Sequence, residues 1–416
     1  MRWNCLPLSL LLVISLSARA DELPLSLDAA VERALERAPE LNARTAGAEA
    51  ARALSVSAGR LPDPELVIGI DNLPVSGPDA YSTTRDFMTM RKVGVMQEFP
   101  RGVKRRLERE RAEAQAGAAD AELVESRLAV AREVAAAWIR RATAEASLNE
   151  LRALEPEVEL QAAAARAAVS AGRSSTAEAL AAEAAVAQLA NRILKMQIEV
   201  RQAAFELARW IDVDASRPLA SMPSLDELPT PPAALLATVH EHGALLPFES
   251  QIEAARRDVD LAKAERRPDW SAELAFAKRG PEFSDMVSLQ FRIGLPLFTK
   301  YRQNPMVSAK HAELRRLEAE REMEIRMHTA ELHQMLTQWE LLGDQLKQYE
   351  QELLPLSRER SRAALASYRV GRGELRLALD AYEQEIDFLI ERAELQDERG
   401  RAWAFLRYLG PQHLQH

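Results

Sequence analysis

Residues 286–295 read Met286-Val287-Ser288-Leu289-Gln290-Phe291-Arg292-Ile293-Gly294-Leu295, with Val287, Leu289, Phe291, Ile293 and Leu295 alternating against Ser288, Gln290, Arg292 and Gly294. Side chains of a strand point to opposite faces with period two, so one face of this segment is apolar and the other wet. Residues 270–277 repeat the pattern, with Trp270, Ala272, Leu274 and Phe276 opposed to Ser271, Glu273 and Ala275. A half-buried sheet in a soluble domain alternates in the same way, so the flanking sequence has to decide between the two surroundings. Between Arg101 and Ser170 there is little but helix formers, interrupted only by Gly102, Gly117 and Pro156. At 1.5 Å per residue that run spans roughly 100 Å, far beyond a globular domain. Aromatic residues gather at the strand ends, Trp270, Phe298 and Tyr301 at one level and Phe283 at the other, as a membrane-interface girdle requires.

The pattern of helix, strand, hairpin, strand, helix occurs twice. Arg60-Leu61-Pro62-Asp63 returns as Arg266-Arg267-Pro268-Asp269, and Pro100 returns as Pro296. Pro156 and Gly172-Arg173 return as Pro355 and Gly371-Arg372, both 199 positions on (355 − 156 and 371 − 172). Punctuation kept in register points to duplication of one unit. The first copy is expected over 21–211, with strands at about 65–72 and 90–99, and the second over 233–416, with strands at about 270–277 and 286–295. Residues 212–232 hold Pro218, Pro223, Pro229, Pro231 and Pro232 and read as a linker.

Within the first copy, Ser26 is placed to cap a helix running to about Arg60 with a break near Pro39. After Gly172, Val186, Leu189, Ile193, Met196, Val200, Ala203, Leu207 and Trp210 are spaced 3, 4, 3, 4, 3, 4, 3, a coiled-coil seam. The second copy is expected to hold one helix from about Ala233 to Arg267 and one long helix up to about Ser367, then a heptad-spaced helix with Leu379, Tyr382, Ile386, Leu389 and Ala393.

Residues 1–20 have a basic Arg2, an apolar run from Leu6 to Leu16 and Ala18-Arg19-Ala20 as a cleavage site, the plan of an export leader. The only cysteine, Cys5, precedes the apolar run, so no acylated cysteine follows cleavage and lipidation is not expected. Later apolar runs fall short of the roughly twenty residues of a spanning helix, so any membrane entry is by strands. The 47% hydrophobic but only 5% aromatic composition suits close helix packing, and the net charge of −9 is interleaved along the helices with no basic patch for nucleic acid. There is no nucleophile elbow and no phosphate-cradling glycine loop, so no active site and no cofactor is assigned.

Four strands cannot enclose a lumen, and an open edge in lipid leaves backbone groups unpaired. Identical chains must join. Two would give a filled barrel of eight strands, whereas three give twelve and room for water, which favours three.

The duplicated plan, the opening Leu25-Ser26-Leu27-Asp28-Ala29-Ala30-Val31 and the turns Ala171-Gly172-Arg173 and Tyr368-Arg369-Val370-Gly371-Arg372 resemble the TolC-type outer-membrane efflux proteins. The resemblance covers the whole chain after the leader. It implies a mainly α fold with a small β part: a homotrimer whose twelve-stranded barrel in the outer membrane continues as a periplasmic α-barrel. It also implies a non-enzymatic exit duct joined by a periplasmic adaptor to an inner-membrane transporter. Leu61-Pro62-Asp63-Pro64-Glu65-Leu66, Asp71-Asn72-Leu73-Pro74 and the stretch from Arg85 to Pro100 resemble the heavy-metal branch, the CzcC- and CusC-like channels with RND-type transporters. Drug efflux and type I protein secretion ducts share the family plan. A soluble periplasmic scaffold or adaptor is the alternative of another class.

On that plan Val287, Leu289, Phe291 and Ile293 face lipid, and Glu273, Ser288, Gln290 and Arg292 line the lumen. Gly172 and Gly371 mark hairpin tips that form the periplasmic mouth, where Arg173 and Arg372 either hold the mouth closed, touch the adaptor or stand as plain solvated charges. Met88, Met90 and Met96 share the parity of Lys92 and Glu98 on the lumen face. Thioethers suit soft ions such as Cu(I), but Met also fills packing space, and no metal site is assigned. His328 and His333, five apart on one helix, do not share a face at ligand spacing and read as ordinary helix residues.

Overall fold

The computed structural model describes residues 24–211 and 217–414. The expected leader with Cys5 and its cleavage site, and residues 212–216 of the expected linker, lie outside the described residues. Ser26 caps α1 (Leu27–Arg37), its hydroxyl accepting from the Ala29 amide at 3.2 Å. Pro39 then opens α2 (Pro39–Ser57), which produces the anticipated break. β1 (Glu65–Asp71) and β2 (Met90–Phe99) lead into α3 (Gly102–Ser170), a single helix of 69 residues that carries Pro156 inside it. α4 (Thr176–Ile211) returns alongside. The second half runs through α5 (Pro232–Ala237), α6 (Leu246–Ala264), β3 (Trp270–Lys278), β4 (Met286–Ile293), α7 (Gln303–Gln348), α8 (Leu354–Arg369) and α9 (Leu375–Arg407).

Two expected helices are divided. The single helix expected over 233–267 is instead α5, two short 3-10 turns at Val239–Glu241 and Gly243–Leu245, and α6. The reason is Gly243: its amide donates to the Leu409 carbonyl at 2.9 Å, and a Cβ there would lie 2.5 Å from Leu128 Cδ1, so the backbone turns in against α3 before Pro247 opens α6. The helix expected to reach Ser367 is divided by a π-helical turn, Tyr349–Leu353, just before Pro355. Proline lacks an amide and its ring crowds the carbonyl four residues back, and a wider turn relieves that conflict. In α3 the same residue, Pro156, sits within unbroken α-helix.

α3 is the spine. Its middle packs on α1 through Leu128, Val134, Trp138 and Ile139 against Leu27, Ala30, Val31 and Ala34. Further along, Leu148, Leu151 and Val158 meet the α4 seam residues Leu189 and Ile193 and the α9 residues Tyr382 and Ile386. Near the far end Ala162, Ala165, Ala179 and Ala182 let α3 and α4 approach closely. Three indole N–H groups hold the non-helical segments to this girdle: Trp138 to the Leu25 carbonyl at 3.0 Å, Trp339 to that of Leu225 at 2.8 Å and Trp403 to that of Glu227 at 2.9 Å. No described helix is long and apolar enough to cross a membrane.

Trp138 is completely buried and anchors the N-terminal segment. Trp138→Ala is expected to cost about 3–5 kcal/mol, read as a lowered midpoint of denaturant unfolding of the helical signal. An unchanged midpoint would show that the girdle does not depend on it.

Candidate functional site

All four strands form one antiparallel sheet in the order β1-β2-β3-β4. Among the described residues no helix packs across it. The register lines up Leu66, Val95, Leu274 and Leu289 in one cross-strand row and Ile68, Val93, Phe276 and Val287 in the next. Phe99, Trp270 and Ile293 close the same face at the strand ends, with the Phe99 and Trp270 rings stacked at 4.3 Å. This face is open: Val287, Leu289, Phe291 and Ile293 are 71%, 62%, 60% and 60% exposed. A contiguous apolar face of this size on a strand surface marks a membrane or protein partner.

The other face is polar and crowded. One row joins Glu65, Met96, Glu273 and Gln290, and the next joins Glu98, Ser271 and Arg292. Glu273 is 3% exposed and lies between two cations, with Lys92 Nζ at 3.3 Å and Arg292 Nη2 at 2.6 Å, while Lys92 also reaches Asp71 at 3.5 Å. Ser288, Gln290 and Arg292 stand on the same face of the edge strand, exposed. Val287, Leu289, Phe291 and Ile293 thus share one face of the sheet, and Glu273, Ser288, Gln290 and Arg292 share the other. β4 ends at Ile293, two residues short of the expected Leu295, although the Gly294 amide still donates across to the Asp269 carbonyl at 3.1 Å.

Met90 and Met96 share the polar face, Met96 buried. Met88 does not: it lies in the bend before β2, exposed, with its amide donating to Asp86 Oδ1 at 2.7 Å, so the strand parity stops short of it. Met90 and Met96 are six strand positions apart (96 − 90), about 20 Å, too far to share an ion. Among the described residues no group of three His, Cys, Asp or Glu could hold a metal.

One α3 length away from the sheet are the tips. Gly172 and Gly371 have φ of +69° and +71°. At each, the following arginine amide reaches back to close a Schellman turn, Arg173 to the Ala168 carbonyl and Arg372 to the Ser367 carbonyl, both at 2.9 Å. Arg173 and Arg372 are exposed and make no ion pair within the chain among the described residues. The charged ties near the tips are others: Arg369 to Glu157 at 3.0 Å, which joins α8 to α3, and Arg392 to Glu150 at 2.6 Å, which joins α9 to α3. The sequence concealed them because the partners are 212 and 242 positions apart.

A buried pair of histidines also escaped the sequence. His242 Nδ1 lies 2.9 Å from His328 Nε2, and both rings are buried between α7 and the 3-10 connector. Burial pushes the His242 imidazole down to about 4, helped by the neighbouring histidines, and burial lowers His328 as well, against Glu331 and Glu324. The earlier reading of His328 as an ordinary helix residue misses this contact, since its partner is 86 positions away.

Residues 30–211 match the outer membrane efflux protein family. The fold agrees: crystal structures of CusC, described in terms of transmembrane channel formation, share 18% identity with a TM-score of 0.81 and cover 92% of each chain. VceC, an outer membrane protein of Vibrio cholerae, is 20% identical with a TM-score of 0.78 over 92% of this chain and 96% of its own. The open state of the Neisseria gonorrhoeae MtrE outer membrane channel is 18% identical, with a TM-score of 0.74 over 92% and 88%. At these identities the likeness is one of fold. No curated protein sequence gives a significant match.

The buried Glu273 ion pairs and the buried histidine pair each generate a prediction. Glu273→Leu leaves Lys92 and Arg292 facing each other and is expected to lower stability by about 1–3 kcal/mol, seen as a drop in the temperature at which the folded band disappears in a heat-modifiability gel. For His242, a folded-state value below the unfolded one means that stability is complete above about pH 6.5 and is lost as pH falls towards about 4. The loss approaches about 3 kcal/mol, and His242→Asn should flatten the pH dependence of the melting temperature.

Proposed function

We propose that this protein is the outer-membrane exit duct of a tripartite efflux pump, assembled from three chains. One observation carries the assembly. The three largest junctions of the first half of the chain onto the second are β2 with β3, α3 with α6, and α3 with α9. The duplicated plan calls for the same three junctions from the second half back onto a first half, and among the described residues their surfaces stand open. β1 and β4 are unpaired edges. α4 carries a second heptad-spaced stripe, Leu180, Leu194, Ile198 and Phe205, opposite its packed seam and exposed. Met323, Met327, Leu341 and Leu356 form an exposed stripe along α7 and α8. Joining second half to first half around a ring closes every one of these surfaces, and three chains of four strands supply twelve.

In that assembly the apolar face with Val287, Leu289, Phe291 and Ile293 meets lipid. Glu273, Ser288, Gln290 and Arg292 line a water-filled lumen and bias ion passage. The Gly172 and Gly371 tips form the periplasmic mouth, and their unpaired Arg173 and Arg372 are available to a periplasmic adaptor, with an inner-membrane transporter of RND type beyond it. The family is one of transport ducts, so the chain supplies no energy. Heavy-metal cations are the proposed cargo on the strength of residues 61–100, with no resident cofactor. Export through a cleaved leader without lipidation completes the reading. An exposed apolar sheet face with open edges counts against a soluble periplasmic scaffold.

Deletion of the gene is the test. Hypersensitivity to copper, silver, zinc, cobalt or cadmium without drug sensitivity supports the metal reading, and the reverse pattern replaces it with drug efflux. Recovery of the mature protein in the soluble periplasm, rather than in the outer-membrane fraction, overturns the duct itself.

A further inference from the structure

Counterpart residues of the two halves have different surroundings. α6 lies between α3 and α7, and its Asp258 reaches both, Arg111 Nη1 at 3.1 Å and Lys310 Nζ at 3.2 Å. Beyond the end of α6, Pro268-Asp269 sits on the start of α3. Asp269 accepts from the Arg101 amide at 2.9 Å and from Lys104 Nζ at 2.5 Å, Arg101 Nε donates to the Pro268 carbonyl at 2.9 Å, and Glu265 adds a second carboxylate to Lys104 at 3.3 Å. The start of the longest helix is thus fastened by an acidic segment from the other half, where an N-terminal carboxylate is favourable.

α2 and Pro62-Asp63 are the first-half counterparts of α6 and Pro268-Asp269. α2 packs along α3 but not along α7, and it leaves Leu54 and Val56 exposed. Asp63 is exposed and has no ion pair among the described residues, although Gln97 Nε2 holds the preceding Pro62 carbonyl at 2.7 Å and so fixes the segment. The counterpart of the α3 start is the α7 start. Lys300 follows Pro296 by four positions as Lys104 follows Pro100. Among the described residues, Lys300, in the turn before α7, lies against the Tyr301 ring at 5.4 Å and has no carboxylate partner, Arg302 is exposed without one, and no side chain caps α7. Each edge of the chain therefore holds half of a junction whose complete form exists between α6 and α3.

We propose that this junction is repeated between chains, with Asp63 of one copy docking on Lys300 and Arg302, in the turn that leads into α7 of the next copy, as Asp269 docks on Arg101 and Lys104. The occupant is a second copy of this chain because the two halves match in charge and in position along the duplicated unit, and Leu54 and Val56 give the contact an apolar flank. The inference rests on the ring assembly proposed above and names residues that close it. A carboxylate on a cation and a free helix start is worth about a fivefold factor per contact, and a three-chain ring repeats it three times, so the assembly constant should change about a hundredfold.

The test uses the full-length protein in outer membranes. Asp63→Cys together with Lys300→Cys, in a chain whose only other cysteine is Cys5, should give cross-linked dimers and trimers with a short thiol-reactive linker, and neither single variant should. Asp63→Lys alone and Lys300→Glu combined with Arg302→Glu should each lower the denaturant midpoint of the assembled species, and combining all three should recover it. A three-chain particle with no cross-link and purely additive charge reversals overturns the junction and leaves the assembly standing, as does loss of membrane binding in place of assembly, which would place Lys300 and Arg302 against lipid phosphate. A wild-type particle of a single chain overturns both.

Discussion

Backbone N–H and C=O groups at the edges of β1 and β4 have no partner within one chain, and the sheet between them presents an apolar face that water does not favour. In hydrocarbon an unpaired edge costs several kcal/mol per group, so such a sheet can enter lipid only as part of a closed barrel. The rest of the structure depends on that constraint. In the proposed assembly the chain is a segment of a ring, which accounts for the exposed apolar stripes on α4, α7 and α8 at its lateral edges. If the junction between the halves is repeated between chains, as proposed, closure of the sheet and closure of the helical tube are one event.

Duplication makes the closure possible. A unit that packs its second half on its first already holds the kind of interface that the proposed ring needs for the next chain. The two halves are nonetheless unequal. The first keeps Pro156 inside a continuous 69-residue helix, whereas the second meets Pro355 with a π-helical turn that separates α7 from α8. Tyr349 in that turn packs edge-on against Phe388 of α9 at 5.8 Å. The tip of the second half is therefore carried on a short helix of its own, while the tip of the first is continuous with the spine.

Much of this was legible in the sequence, for identifiable reasons. Period-two alternation from Val287 to Ile293 and heptad spacing from Val186 to Trp210 are local patterns that burial imposes residue by residue, and they locate the strands and the α3–α4 seam closely. Ser26, Pro39, Gly172 and Gly371 act within one turn of themselves, so their roles can also be read locally. Contacts between distant segments cannot. Gly243 breaks a helix because Leu128 of α3 is beside it, His328 is buried because His242 arrives from another segment, and Arg369 finds Glu157 across the interface of α8 with α3. Met88 failed as a strand residue because the Asp86 side chain captures its amide before pairing begins.

The most direct test of the account is the number of chains in the native particle, measured by mass spectrometry of the protein released intact from outer membranes in mild detergent. The account predicts three chains per particle. A particle of one chain, or of two, would contradict it, because neither brings the twelve strands that enclose a wet lumen.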